Sequence, residues 1–84
     1  MFVMLITYSF DSDYVAVKCE TEKEAIDKLN EYLDEEIKTV EKESGYTPVV
    51  REHMDTLKEL IYDIAEYRID SNTDIAEYRV IEVK

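Results

Sequence analysis

The sequence predicts one small α+β domain over residues 1–84, with elements in the order β-β-α-α-β-β and an antiparallel sheet that carries the helices on one face. Three observations support this fold class. The chain opens and closes with apolar, β-branched runs that are typical of strands. The segments between them place apolar residues three and four positions apart, which is typical of helices. The length of 84 residues is enough for one hydrophobic core and too short for two.

The first two elements form a predicted β-hairpin. Residues 2–10 have apolar side chains at both odd and even positions, which favours a central strand covered on part of both faces. The polar run Asp11-Ser12-Asp13 is typical of a turn. Residues 14–19, with the sequence YVAVKC, predict a second strand that returns beside the first.

A long helix follows, with clear signals at both ends. Thr21 and Glu24 have the T-x-x-E spacing of a capping box, in which both side chains accept hydrogen bonds from backbone amides at the helix start. Gly45 stands where a left-handed C-terminal cap is expected. The apolar positions predicted to face the core are Ile26, Leu29, Leu33, Ile37 and Val40, with Ala25 and Tyr32 widening one edge.

A second helix is predicted over residues 49–61. Thr47-Pro48 is a favourable helix start, because proline in the first turn loses no intrahelical hydrogen bond. Apolar residues then recur at spacings of four and three, at Val50, Met54, Leu57, Ile61 and Ile64.

The last third of the chain contains an internal repeat. The segment DIAEYRI at 63–69 recurs as DIAEYRV at 74–80, and the turn sequence of residues 70–73 lies between the copies. This arrangement favours a hairpin of 63–69 with 75–83. A continuation of the second helix into 62–69 remains the alternative, because a shift of eleven residues also equals about three helical turns.

Composition restricts the partners and the cell compartment. The 21 acidic and 10 basic residues give a net charge of −11, which disfavours direct binding to nucleic acid or to an anionic membrane. The apolar first ten residues lack a preceding basic segment and are too few to cross a bilayer, so we expect a cytoplasmic protein. Cys19 is the single cysteine, which excludes an intrachain disulfide.

Residues for catalysis or metal binding are scarce. The chain has a single histidine, His53, and one glycine, so neither a nucleophile–base pair nor a glycine-rich phosphate loop is expected. The run Asp70-x-Asn72-x-Asp74 matches the first three ligands of a calcium loop. Ile75 and Ile81 stand where that loop needs glycine and glutamate, so the match fails. We therefore expect no enzymatic activity, no metal and no cofactor.

The first helix carries the strongest functional signal. Nine acidic residues stand against four lysines, and a row of carboxylates along a helix can imitate the phosphates of DNA for a basic partner. An ordinary solvated helix face, with pairs such as Glu24–Lys28 and Asp34–Lys38, is the alternative. Six tyrosines are further candidates for partner contact: Tyr14, Tyr32, Tyr46, Tyr62, Tyr67 and Tyr78. The candidate partner-binding residues on the acidic face are Glu24, Asp27, Glu31, Asp34 and Glu35.

Three segments of the chain carry a resemblance: VMLITYSFDSDYVAV at 3–17, TEKEA at 21–25 and DIAEYRVIEV at 74–83. Together they resemble a group of short, acidic proteins of phages and integrative elements of Gram-positive bacteria, a group without an established activity. Residues 46–66 depart from its pattern. The resemblance implies an anti-defence setting, in which anti-CRISPR proteins and restriction inhibitors occupy nucleic-acid-binding surfaces.

Two functional hypotheses follow. The first is an inhibitor that binds a basic nucleic-acid-binding protein of the host, such as a CRISPR effector, through the acidic face. The second is a structural or adaptor module without a nucleic-acid enzyme as target, which could form a homodimer through an apolar helix surface or an edge strand.

Overall fold

The fold is an antiparallel sheet with a helix packed on one side. A computed structural model describes residues 1–45, 47–54, 56–62 and 74–84. The predicted α+β class is confirmed, whereas the predicted order is wrong, because the described elements follow one another as β-β-α-β-β-β. They are β1 (Phe2–Tyr8), β2 (Tyr14–Cys19), α1 (Glu22–Ser44), β3 (Val49–Met54), β4 (Leu57–Ile61) and β5 (Ile75–Glu82).

The sheet has the strand order β2-β1-β5-β4-β3, and every neighbouring pair is antiparallel. The prediction that β1 is an inner strand is confirmed, since β1 pairs with β2 on one side and with β5 on the other. It ends at Tyr8, earlier than the predicted residue 10. In the turn that follows, the Asp13 amide donates a hydrogen bond to Asp11 Oδ1 over 3.1 Å. Within this sheet, β2 and β3 are the edge strands.

The capping signals of α1 are confirmed. The Glu24 amide donates to Thr21 Oγ1 over 3.2 Å, and Glu24 Oε2 accepts from the Glu20 amide over 3.2 Å. At the other end, Gly45 has a φ of 76° and its amide donates to the Glu41 carbonyl over 3.0 Å. The helix therefore begins and ends where its sequence predicts.

The core lies between α1 and the sheet face that turns towards it. On the helix, Ala25, Leu29 and Leu33 are buried, while the predicted core residues Ile26, Ile37 and Val40 are only half-buried. Burying one large apolar side chain contributes about 1.5–3 kcal/mol, so the leucines and their sheet partners hold the two layers together. The buried residues of the sheet in this cluster are Met4, Ile6, Leu60, Ala76 and Tyr78.

The predicted second helix over 49–61 is wrong, because these residues form the hairpin of β3 and β4. The hairpin has two adjacent apolar residues at each end, and a strand can bury both because successive strand residues point to opposite faces. Val50 and Leu60 therefore face α1, while Val49 and Ile61 face away from it. Hydrogen bonds from β4 to the distant β5 complete the sheet. Such long-range pairing overrides the local helical spacing.

Polar residues in the middle of this hairpin have partners as well. Lys58 lies on the side of the sheet that faces α1, where its ammonium donates to Asn30 Oδ1 of the helix. The same nitrogen lies 3.3 Å from Glu52 Oε1 on the neighbouring strand. The hairpin thus places a charged residue next to the helix without leaving it unpaired.

The internal repeat can be followed for its second copy only. The predicted strand at 75–83 is confirmed as β5, Ile75–Glu82. The first copy at 63–69 and the turn at 70–73 lie outside the described residues, so the hairpin prediction for them stays a prediction.

Candidate functional site

The five predicted acidic residues are all exposed on α1. At about 100° per residue, they fall within an arc of about 100° on the side of the helix opposite Leu29 and Leu33. They are Glu24, Asp27, Glu31, Asp34 and Glu35, and they are called the acidic face below.

A groove separates the first part of the acidic face from the edge of the sheet. Glu24, Asp27 and Glu31 border it on the helix side, together with Lys28. Its volume is about 250 Å³, and Val17, Lys18 and Cys19 of β2 form the opposite wall. Asp34 and Glu35 are not among the lining residues, so the fold brings three of the five acids to the groove and leaves two on the open helix surface.

Two acids of this face have local partners. Lys28 Nζ lies 3.5 Å from Glu31 Oε2, and both side chains are about half exposed or more. Glu24 takes part in the N-terminal cap described above. The Glu24–Lys28 and Asp34–Lys38 ion pairs of the alternative interpretation, an ordinary solvated helix face, do not form within the helix, all of whose residues are described. Asp27, Asp34 and Glu35 therefore remain open to an external cation.

A second site lies at the other end of the helix, and sequence reasoning missed it. Glu36 is half-buried, and its Oε1 accepts a hydrogen bond from the Tyr62 hydroxyl over 2.6 Å. Burial raises the pKa of Tyr62, Tyr78 and Tyr8, and the negative charge of Glu36 raises all three further. Tyr8 and Tyr78 also act on each other's pKa. The charge of one carboxylate thus acts on three tyrosines and is hydrogen-bonded by one of them.

Phe10 covers this cluster from the end of the first strand. Its ring centroid lies 5.6 Å from that of Tyr62 at an interplanar angle of 79°, and 5.4 Å from that of Tyr8. The Phe10 side chain is nevertheless 56% exposed. A cavity of about 370 Å³ opens beside it, called the aromatic pocket below. Its lining includes Phe10, Tyr62, Val40, Glu36, Glu43 and Asp74.

The tyrosines divide into buried and exposed groups. Tyr78 is 1% exposed and belongs to the core, whereas Tyr14 on the edge strand is 68% exposed and Tyr32 on the helix is 40% exposed. Tyr14 and Tyr32 are thus the described tyrosines most available to a partner. Tyr46 and Tyr67 lie outside the described residues.

The side chains considered for catalysis are far apart in the sheet. Cys19 is buried on the edge strand β2, and His53 is exposed on β3, the opposite edge. His53 Nε2 lies 3.0 Å from Glu59 Oε2 on the neighbouring strand. Among residues 1–45, 47–54, 56–62 and 74–84, no three histidine, cysteine or acidic side chains are grouped to hold a metal ion.

Searches against protein families, curated proteins and solved structures find no match to this chain. In the described part of the chain, no helix has both the length and the apolar character needed to cross a membrane. The acidic face and the aromatic pocket are the features on which a function can be proposed.

Proposed function

We propose that this chain is a phage or mobile-element anti-defence protein of the host cytoplasm. It binds a basic nucleic-acid-binding protein, such as a CRISPR effector, and inhibits it by occupying the groove that would hold DNA or RNA. It acts by binding and has no enzymatic activity. The observation that carries the proposal is the acidic face, five exposed carboxylates on the side of α1 opposite its buried stripe.

The spacing of these carboxylates supports mimicry of a phosphate row. Glu24 and Glu35 are eleven residues apart, which is about 16 Å along the helix axis. Five acids over this length give about one charge every 4 Å, and one strand of DNA carries one phosphate about every 3.4 Å. A basic groove shaped for one strand would therefore meet a comparable density of negative charge.

The test combines charge reversal with competition. The wild-type protein is used to capture its partner from a host lysate, and the partner is purified and assayed with DNA or RNA as competitor. The variant Glu31→Lys, Asp34→Lys, Glu35→Lys should associate at least about tenfold more slowly, because steering of the encounter depends on the local field. It should also fail to inhibit nucleic-acid binding by the partner.

A matched variant separates this face from the overall charge. Asp13→Lys, Glu20→Lys, Glu82→Lys changes the same number of exposed acids, all outside α1. Its association should slow much less than that of the helix variant. An equal decrease in association rate in the two variants, or no decrease in either, would contradict mimicry by the helix.

The exposed edge strand β2 favours a second candidate, a homodimeric adaptor. Ala16 is exposed and Tyr14 is 68% exposed on this strand, whose outer backbone groups pair with no other strand of the described sheet. Such an edge can add a strand from a second copy. Sedimentation velocity tests this directly: a dimer that dissociates in the Ala16→Lys variant supports the adaptor, and a monomer at all concentrations contradicts it.

A further inference from the structure

The aromatic pocket combines negative charge with exposed aromatic surface. Glu36 and Glu43 of α1 line it, and so does Asp74, which directly precedes β5. Within the described residues, no lysine or arginine forms an ion pair with these three acids. The last turn of α1 adds the partial negative charge of a helix C-terminus. The pocket therefore offers a cation several favourable interactions, and none of its described lining residues is a lysine or an arginine.

The aromatic walls narrow the choice of cation. Tyr62 and Tyr8 pack against the Phe10 ring, and Phe10 nevertheless stays 56% exposed, so part of its ring is available to a cation. A guanidinium is flat, weakly hydrated and able to stack on such a face while donating to carboxylates in its own plane. An ammonium has no flat surface and loses more hydration. The volume of about 370 Å³ is near the small end of the range for ligand pockets, which suits one side chain better than a large metabolite.

We propose that the aromatic pocket binds the arginine side chain of a protein partner. The guanidinium stacks on Phe10 and donates hydrogen bonds to Glu36, whose orientation is fixed by the Tyr62 hydroxyl at 2.6 Å. Glu43 and Asp74 supply further negative charge at the rim, and Val40 contacts the methylene stem. This site goes beyond the acidic face, because none of Glu24, Asp27, Glu31, Asp34 and Glu35 lines it.

The direct test is a titration of the full chain with a blocked tripeptide, acetyl-Gly-Arg-Gly-amide, followed by NMR. The expected result is saturable shifts at the rings of Phe10 and Tyr62, with the amides of Val40 and Glu43 following. The same peptide with citrulline in place of arginine has the same shape without the charge, and it should bind at least about tenfold more weakly. Equal binding of the two peptides, or no saturable shift up to the solubility limit, would overturn the proposal.

Substitutions then assign the binding to the pocket. Phe10→Leu should weaken binding of the arginine peptide about two- to fivefold, the usual range for an exposed cation–π contact. Glu36→Gln should weaken it about fivefold or more, because the amide can still accept from Tyr62 but carries no charge. Glu31→Gln removes the same charge from the acidic face and should leave binding unchanged.

The peptide-binding test of the aromatic pocket does not depend on the function proposed above. Peptide binding that is weakened in Phe10→Leu and retained in the Glu31→Lys, Asp34→Lys, Glu35→Lys variant supports the pocket even if no nucleic-acid enzyme is captured. Peptide binding that weakens as much in Glu31→Gln as in Glu36→Gln would mean diffuse attraction to an acidic protein, and the pocket would be rejected. Phe10 is exposed at a strand end, so its variant remains informative if Glu36→Gln fails to fold.

Discussion

At the scale of single residues, Glu36 differs from the other acids of α1. The helix has nine acidic residues, all of them described, and eight are exposed while Glu36 is half-buried beside tyrosines. A carboxylate taken partly out of water needs donors, and the Tyr62 hydroxyl at 2.6 Å supplies one. The same charge acts on Tyr78, whose ring is 1% exposed. This residue therefore links the helix to the tyrosines of the sheet through electrostatics as well as packing.

The buried phenols make stability sensitive to alkaline pH. Burial raises the pKa of Tyr78 in the folded chain, so above the ordinary value of 10.0 the unfolded chain loses this proton while the folded chain keeps it. The stabilisation is complete below pH 10 and is lost as pH rises above it, at about 1.4 kcal/mol per pH unit for each such tyrosine. Urea unfolding between pH 9 and 12 should show that the free energy of unfolding decreases as the pH rises. In Tyr78→Phe this decrease should be smaller by about 1.4 kcal/mol per pH unit, whereas Tyr14→Phe, at an exposed position, should leave it unchanged.

At the scale of elements, α1 divides into a packed side and a solvent side. Replacing Leu29 or Leu33 with Ala should lower the free energy of unfolding by about 2–5 kcal/mol, because both leucines are buried against the sheet. Glu31→Ala and Glu35→Ala should change it by less than about 0.5 kcal/mol. Chemical denaturation measures all four. Comparable losses at the leucines and the glutamates would mean that the helix packs with a different face.

The β3–β4 hairpin can be tested in the same way, since strand and helix bury different leucines. Leu60 is 0% exposed on the side of β4 that faces α1, whereas Leu57 is half-buried on the other side. Leu60→Ala should therefore cost about 2–5 kcal/mol of unfolding free energy and Leu57→Ala clearly less. A helix over 49–61 would bury Leu57 with Val50 and Ile61, so a larger loss at Leu57 would favour the helix.

The elements that the sequence predicts correctly are those with local signals. A continuous apolar run marks β1, and Thr21, Glu24 and Gly45 mark the ends of α1, because caps form between residues a few positions apart. The hairpin at 49–61 depends on hydrogen bonds between β4 and β5, which no short window of sequence contains. Its apolar pairs at 49–50 and 60–61 were the available signal for a strand with two covered faces.

The same distinction applies to the candidate sites. The acidic face was predictable because its five residues recur with the period of one helix. The aromatic pocket was not, because Phe10, Glu36, Tyr62 and Asp74 come from four separate parts of the chain and meet only in the folded protein. The sequence predicted Phe10 within the first strand, whereas it stands two residues beyond the end of β1.

At the scale of the whole molecule, charge is distributed unevenly between the two sides of the sheet. The side of α1 carries nine acids against four lysines, while the sheet face turned away from α1 mixes Lys18, Arg51 and Arg79 with Glu59 and Glu77. Arg79 and Glu77 form an ion pair on that face. A basic partner approaching the molecule would therefore be attracted to the helix side, in agreement with the proposed orientation of binding.

The net charge of −11 gives salt two opposite effects, and this is a prediction about the entire chain. Repulsion among like charges destabilises the folded state, and salt screens it, so the melting temperature should rise between low salt and about 0.5 M. Attraction to a basic partner is screened by the same ions, so affinity should fall over the same range. Calorimetry and a binding titration at matched salt concentrations measure the two trends.

The Glu31→Lys, Asp34→Lys, Glu35→Lys variant should separate the effect of charge on stability from its effect on binding. Each reversal from acid to lysine adds two positive charges, so three reversals change the net charge from −11 to −5. Repulsion among the remaining acids is then weaker, which stabilises the folded state. We expect this gain to exceed the stabilisation lost with the exposed Lys28–Glu31 pair, which is about 0.2–1 kcal/mol. At low salt the variant should therefore melt at least as high as the wild type while binding its partner far more weakly. A variant that melts well below the wild type at low salt would show that these acids support the fold, and its loss of binding would then be no evidence for a phosphate-like surface.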